Sequence, residues 1–334
     1  MKLEDPGLSS YTMTGDFVEM RYLPPLLLLL ICAMLPSCKE RAHIPVVTDG
    51  SWALLVSPEQ PQAGARFRVL AAGNAESKQL EISVVSPSGL LKSASTNQGG
   101  GPPFWLCNTF QSAGQGEYTV QLMEGRKTIL TRKISITSPR TAGAGSRIWE
   151  CRRTWDRDTE LLYSAWINAL FHNSAEGASW SALHQVMHDS TTNILYNHLG
   201  LGEDTPAARP RLIMEPDCAD NPFFLRAYFS WKLGLPFGFP ETGRGTLRNP
   251  PHTGRWFTNL ETSGNPDLVK RFNSFLRVVL NTIHSGTART RLEDDNSDYY
   301  PLPLTRTALR PGAVFADPYR SEERRVGKEC RSRW

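Results

Sequence analysis

The 334-residue chain contains no apolar run approaching the roughly 20 residues that a bilayer-spanning helix requires; the run from Leu26 to Leu35 is about half that length. Net charge is also small. Of the formal +4, the segment Arg320 to Trp334 supplies a surplus of three through six basic and three acidic residues, leaving +1 for the rest. A basic surface for nucleic acid is therefore not expected. Cysteine is scarce, at 6 residues, of which Cys32, Cys38 and Cys330 lie in the terminal segments. The remaining Cys107, Cys151 and Cys218 are odd in number, so they cannot all pair within one chain. A Cys107 to Cys151 disulfide with Cys218 left as a thiol is one arrangement the sequence allows.

Several familiar sites are incomplete. His184 and His188 have the i, i+4 spacing of metal ligands on one helix face, but Gln185 follows where a metalloprotease helix has glutamate, and no third ligand is evident. Both histidines are expected to face solvent, and no metal or other cofactor is assigned. Asp294, Asn296 and Asp298 mimic the opening of a calcium loop, yet Tyr299 replaces the required glycine and no glutamate closes it. Gly243 to Gly254 holds Arg244, Arg248 and His252 but lacks the Gly-Lys-Ser/Thr of a phosphate loop. It is either a lid near Cys218, with Arg244 touching substrate, or a plain surface loop.

At the amino end, Met20 to Cys38 combines one positive charge, a short apolar run and a Leu35-Pro36-Ser37-Cys38 ending. That is the pattern of a signal for export. The ending resembles a lipobox, which implies lipid attachment at Cys38, although Pro36 departs from the usual small or aliphatic residue. Residues 1–19 carry Glu4, Asp5, Asp16 and Glu19, which suits no positively charged leader, so Met20 is the expected start. At the other end, residues 320–334 (RSEERRVGKECRSRW) resemble the in-frame translation of a sequencing-library adapter and are set aside from fold reasoning.

Between these ends two domains are expected. Residues 44–137 hold short alternating segments, Ser51 to Val56, Arg66 to Ala71, Leu80 to Val85, Glu117 to Met123 and Thr128 to Ile136. Turn signals at Pro61 to Gly64, Ser86 to Gly89 and Glu124-Gly125 separate them, the spacing of a small antiparallel sandwich. The pattern looks like an immunoglobulin-like module. Gly99 to Phe104 reads as a glycine-rich connection over a Trp105 plug, with ligand binding the weaker alternative. Residues 138–150 form a linker by composition. From 151 to 319 the period becomes helical. Helices are expected over Asp158 to Phe171, after Ser179, after Ser190 up to Gly200, and from Asn265-Pro266 to Gly286.

The most informative stretch runs from Pro216 to Gly238. Only Arg226, Ser230 and Lys232 are strongly polar between Phe223 and Leu233, so this helix is apolar nearly all round and should cross the centre of its domain. Pro222 fits only a first turn, placing the helix start near Ala219 to Asn221 and Cys218 at its lip. The unpaired N–H groups and positive dipole end there favour a thiolate. Asp217 and Asp220 oppose this unless they turn away to cap the helix.

This stretch resembles the nucleophile helix of the papain-like and NlpC-type cysteine peptidases, in which an Asp-Cys pair opens the central helix. The likeness extends through Lys232-Leu233-Gly234-Leu235-Pro236 and to Ala308 to Phe315, similar to the turn and strand that lead to the family's catalytic histidine. It covers Glu215 to Tyr319, and Ala219-Asp220-Asn221 stands where the family has Ser-Gly after the cysteine. The resemblance implies a multidomain protein, an immunoglobulin-like sandwich followed by an incomplete papain-like α+β domain. It implies that Cys218 is the nucleophile of a cell-wall amide hydrolase, with Asp217, Asp220 and Arg244 near the substrate and the histidine base beyond Tyr319, so that the chain as it stands is inactive. The expected setting is extracytoplasmic, with a lipid anchor in the membrane and a cell-wall peptide or envelope protein as partner. A non-catalytic envelope adaptor and a transglutaminase-like acyl transferase are the rival readings.

Overall fold

The computed structural model describes residues 52–77, 79–138, 145–172, 174–175, 178–243, 253–284, 302–305 and 308–314. The amino-terminal part of this span forms eight strands: β1 (Trp52–Ser57), β2 (Arg66–Gly73), β3 (Leu80–Ser86), β4 (Gly89–Leu90), β5 (Ser95–Gly100), β6 (Phe104–Gln111), β7 (Gly116–Glu124) and β8 (Lys127–Ile136). They pair into two four-stranded sheets, ordered β1-β2-β6-β5 and β4-β3-β7-β8. Alternation creates the core between them. Tyr118, Val120 and Leu122 of β7 point inward with Ile82 and Val84 of β3, against Val56, Phe67, Val69 and Phe110 of the facing sheet. The five expected strands form. The Gly99 to Phe104 stretch differs, because β5 and β6 make an antiparallel pair in which Gly99 opposes Trp105. Polar β5 (STNQGG) is an exposed edge strand with no apolar face to show, so alternation could not reveal it.

Strands β1, β2 and β6 of the first sheet are buried on both faces. In β1, Leu54 and Val56 enter the sandwich core while Ala53 and Leu55 enter a second core; in β2, Leu70 and Ala72 do the same, and in β6, Trp105 and Cys107. That second core belongs to the helical part of the chain, which explains why WALLV and VLAA read as continuous apolar runs. Its first contributors, Ile148 and Trp149, lie within the stretch expected to be a linker, and the Trp149 Nε1 donates to Leu235 O at 2.8 Å.

Helix α1 (Arg157–Phe171) starts with a reciprocal cap: Asp156 Oδ1 accepts the Thr159 N–H at 2.8 Å, and Thr159 Oγ1 accepts the Asp156 N–H at 2.7 Å. Helix α2 is short (Leu183–Met187) and has Ala182, not Ser179, at its cap. The expected helix after Ser190 is replaced by turns. The fully buried Asn193 side chain accepts the Leu195 N–H and donates to Met187 O, taking groups a helix would use, and Asn197 is left-handed at φ 54°. Helix α3 (Asn221–Leu233) carries Pro222 in its first turn and ends at left-handed Gly234, φ 66°, where a Cβ would meet the Arg152 Nε at 2.9 Å. A hairpin of β9 (Gly238–Thr242) and β10 (Thr253–Thr258) follows, then α4 (Leu268–Thr282), capped by Asp267. No helix among the described residues is long and apolar enough to cross a membrane.

Helix α3 is buried as its composition requires, including Lys232, which has no exposed surface. Its Nζ donates to Glu203 Oε1 and Asp204 Oδ2, each at 2.5 Å. The carboxylates in turn hold their own loop. Glu203 accepts the N–H groups of Leu199 and Leu201, and Asp204 accepts that of Asn197 and the hydroxyl of Tyr228. Two acids facing one cation raise the cost of full ionisation. Burial, with Glu203 beside it, pushes Asp204 up to about 6, and the ammonium holds Glu203 below its usual value.

Removing the cation should leave two buried carboxylates uncompensated. Lys232→Met is expected to cost about 3–5 kcal/mol in urea unfolding, and adding Glu203→Gln with Asp204→Asn should recover much of it. Because the two cores share one sheet, tryptophan fluorescence and far-UV dichroism should report a single, coincident unfolding transition.

Candidate functional site

Cys218 is delivered to the head of α3 by an extended segment that is held from both sides. The Ile213 N–H donates to Asn273 Oδ1 of α4 at 3.0 Å, and Asn273 Nδ2 donates to Arg211 O at 2.8 Å. On the opposite side His184 clasps Met214: its main-chain N–H donates to Met214 O, and its ring Nδ1 accepts the Met214 N–H, both at 3.2 Å. His184 is therefore a buried structural residue, which corrects the expectation that it faces solvent. His188 lies 5.5 Å from it, ring to ring, and burial and the neighbouring His184 hold its imidazole down at about 4. No group of three or more His, Cys, Asp or Glu that could hold a metal occurs among the described residues.

The turn from Asp217 to Asp220 is closed by Asp217. Its Oδ1 accepts the N–H groups of Ala219 at 2.7 Å and Asp220 at 3.1 Å, and its main-chain oxygen accepts the Asn221 N–H at 3.0 Å. Asp217 is exposed, Cys218 is half-buried, and Asp220 is buried. Asp220 occupies the cap position of α3 without making a side-chain cap bond. Of the two acids expected to turn away and cap, Asp220 makes no side-chain cap bond and Asp217 bonds N–H groups of the turn ahead of α3.

The three thiols sit in different surroundings, and no disulfide joins them. Cys107 faces the second core from β6, and burial pushes it up to about 12. Cys151 Sγ accepts from Asn259 Nδ2 at 3.3 Å. The Cys107 to Cys151 pairing therefore does not form. Trp105 is a plug between layers, as its position in the sequence suggested: its Nε1 donates to Asn168 Oδ1 of α1 at 2.8 Å and its ring meets His172 edge-on at 5.6 Å. Arg244 and Cys38 lie outside the described residues, as do residues 244–252 of the lid, the calcium-loop mimic and both terminal segments. Residues 308–314 form turns and no strand, with Gly312 against Tyr163. The residues missed at the sequence level are Glu203, Asp204, Met214 and Asn273. The one available signal was Lys232, a cation inside an apolar helix that must have a partner.

The difference in burial is measurable. In the native protein iodoacetamide should alkylate Cys218 at least ~100-fold faster than Cys107, which should react only on unfolding. Mass spectrometry of the tryptic peptides checks this, and equal rates would contradict the placement of either thiol.

Neither a family model nor a curated protein matches this chain. Among solved structures, the Lin-41 filamin domain is similar at 12% identity over 28% of this chain and 89% of that domain, with a TM-score of 0.21.

Proposed function

We propose that this chain is an extracytoplasmic lipoprotein, anchored through Cys38, that joins an immunoglobulin-like sandwich to a papain-like domain for cysteine-dependent hydrolysis of cell-wall amide bonds. The observation that carries the reading is the half-buried Cys218 at the head of a fully packed apolar helix, on a segment braced by His184 and Asn273. A nucleophile needs a rigid mount, access and a stabilised anion, and a helix start buried behind and open in front supplies the first two.

The immunoglobulin-like assignment is supported by strand order. Counting the strands A, B, C, C′, D, E, F and G gives sheets A-B-E-D and C′-C-F-G. Tyr118, early in the F-equivalent strand, accepts the N–H groups of Ala113 and Gly114 and donates to Gly114 O at 2.8 Å, the corner bond typical of such sandwiches.

In the proposed reaction the Cys218 Sγ attacks the amide carbonyl carbon and the C–N bond breaks. The amine departs with the proton that a histidine has taken from the thiol, and water then hydrolyses the thioester. Three of the described histidines, His172, His184 and His198, are engaged with Trp105, Met214 and Ser57 and are not candidates for that role. The same engagement favours the second reading, an envelope adaptor in which Cys218 only packs.

Incubating protein purified from its source cells with muropeptides decides between them. Release of stem peptides that disappears in Cys218→Ser is the expected result. Turnover unchanged in that variant, or none in either protein, means the adaptor reading.

A further inference from the structure

Asp220 is in an unusual position for an acid at a helix cap. Aspartate there ordinarily accepts an N–H from the first turn. Asp220 instead has helical backbone angles, φ −79° and ψ −27°, and makes no such bond. Its carboxyl folds back along the turn that carries Cys218, where Oδ2 faces the Asp217 main-chain N–H at 3.4 Å. Its Oδ1 is buried and has no hydrogen-bond partner among the described residues, and the residue as a whole is 1% exposed.

A buried carboxylate oxygen with no donor is expensive, whereas a protonated carboxyl in the same place is far less so. Among the described residues the charge acting on it is that of Asp217, which adds repulsion to the cost of burial, and together they push Asp220 up to about 7. Its folded value thus lies above the ordinary aspartate value of about 3.9. This carboxyl accordingly contributes stability that is complete below that value and is lost as the pH rises through about 7.

We infer that Asp220 is a positioning residue for the Cys218 thiol: its proton lets the acid fold under the turn, and loss of that proton puts a second negative charge beside the nucleophile and slows it. The inference rests on the reading of Cys218 as nucleophile. Cys218 sits between Asp217 and Asp220 in the same closed turn, so both carboxyls bear on any thiolate formed there. Of the two, the buried Asp220 carboxyl is the variable one.

The test is the pH profile of Cys218 alkylation by iodoacetamide in the folded protein, read by peptide mass spectrometry, for the natural chain and for Asp220→Asn. Asparagine has the shape of the neutral acid and cannot ionise. The two proteins should react alike near pH 6, and Asp220→Asn should react about 3–10 times faster near pH 8, the effect of a half to one unit on the thiol. Coincident profiles across that range overturn the inference. If Asp220→Asn does not fold, Asp217→Asn keeps the Oδ1 acceptor and removes the neighbouring charge; the lower inflection should then move to more acidic pH, and an unmoved inflection overturns the inference. Hydrolysis is read separately. Coupled profiles without Cys218-dependent muropeptide release sink the hydrolase reading and leave the coupling standing. Cys218-dependent release with coincident profiles does the reverse.

Discussion

Three strands with no face left for water, β1, β2 and β6, govern the arrangement of this part of the molecule. Their side chains on one face fill the sandwich, and those on the other, Leu55, Leu70 and Trp105 among them, are covered by the helical part of the chain. Each large side chain there gains about 1.5–3 kcal/mol by leaving water. Removing the helices would expose a contiguous apolar patch on an otherwise polar sandwich, the kind of surface that soluble domains avoid. Polar contacts then fix the register of the two layers. Glu59 meets Arg152 and Arg153, Arg68 donates to Ser190 O and Tyr196 O, and the His198 Nδ1 lies 3.0 Å from Ser57 Oγ.

The loop beneath the sheet, from Asn197 to Asp204, packs Leu199 against the core while Leu201 stays exposed, and its remaining hold comes from charge. Lys232 reaches it from the centre of α3, and the backbone N–H groups of the loop close on the same carboxylates that the ammonium binds. Hydrophobic residues of equal volume would pack as well or better in such a place. What the ion cluster adds is direction: Tyr228, Asn193 and Trp166 form a chain of hydrogen bonds from it into α1, which leaves the loop one geometry. The imidazole of His198, buried beside several cations, is held well below its usual value and therefore stays neutral.

Regular elements with a strong period were legible in the sequence. The bodies of α1, α3 and α4 follow from their apolar period and the start of α3 from Pro222, and strands β3, β7 and β8 follow from alternation; the caps at Asp156 and Asp267 and the stop at Gly234 were not read, and α4 ends at Thr282 rather than Gly286. What was not legible was whatever depended on a distant partner. β5 is a strand only because β6 pairs with it, and the helix expected after Ser190 fails because Asn193 finds buried partners in Trp166 and Tyr228. Metal-like spacing at His184 and His188 concealed a backbone clasp on Met214, 30 residues away. The position of Cys218 at the lip of a buried helix was legible from Pro222 and the apolar run; the inversion of roles between Asp217 and Asp220 was not, since both are aspartates within reach of the same N–H groups.

That inversion bears on what the helix can do for the thiol. A helix start favours an anion by about 0.3–1 kcal/mol when partly exposed, and here the N–H groups of Ala219 and Asp220, in the turn that leads into it, already point at Asp217 Oδ1. A like charge within about 4–6 Å works against the anion with comparable strength. With one acid charged the two effects roughly cancel, and with both charged repulsion prevails. The dipole of α3 therefore does not make Cys218 a thiolate unaided. The head of α3 supplies placement and rigidity; under the proposed hydrolase reading the activation of Cys218 is left to a base that takes the proton as the substrate carbonyl arrives, the division of labour expected of a nucleophile paired with a histidine.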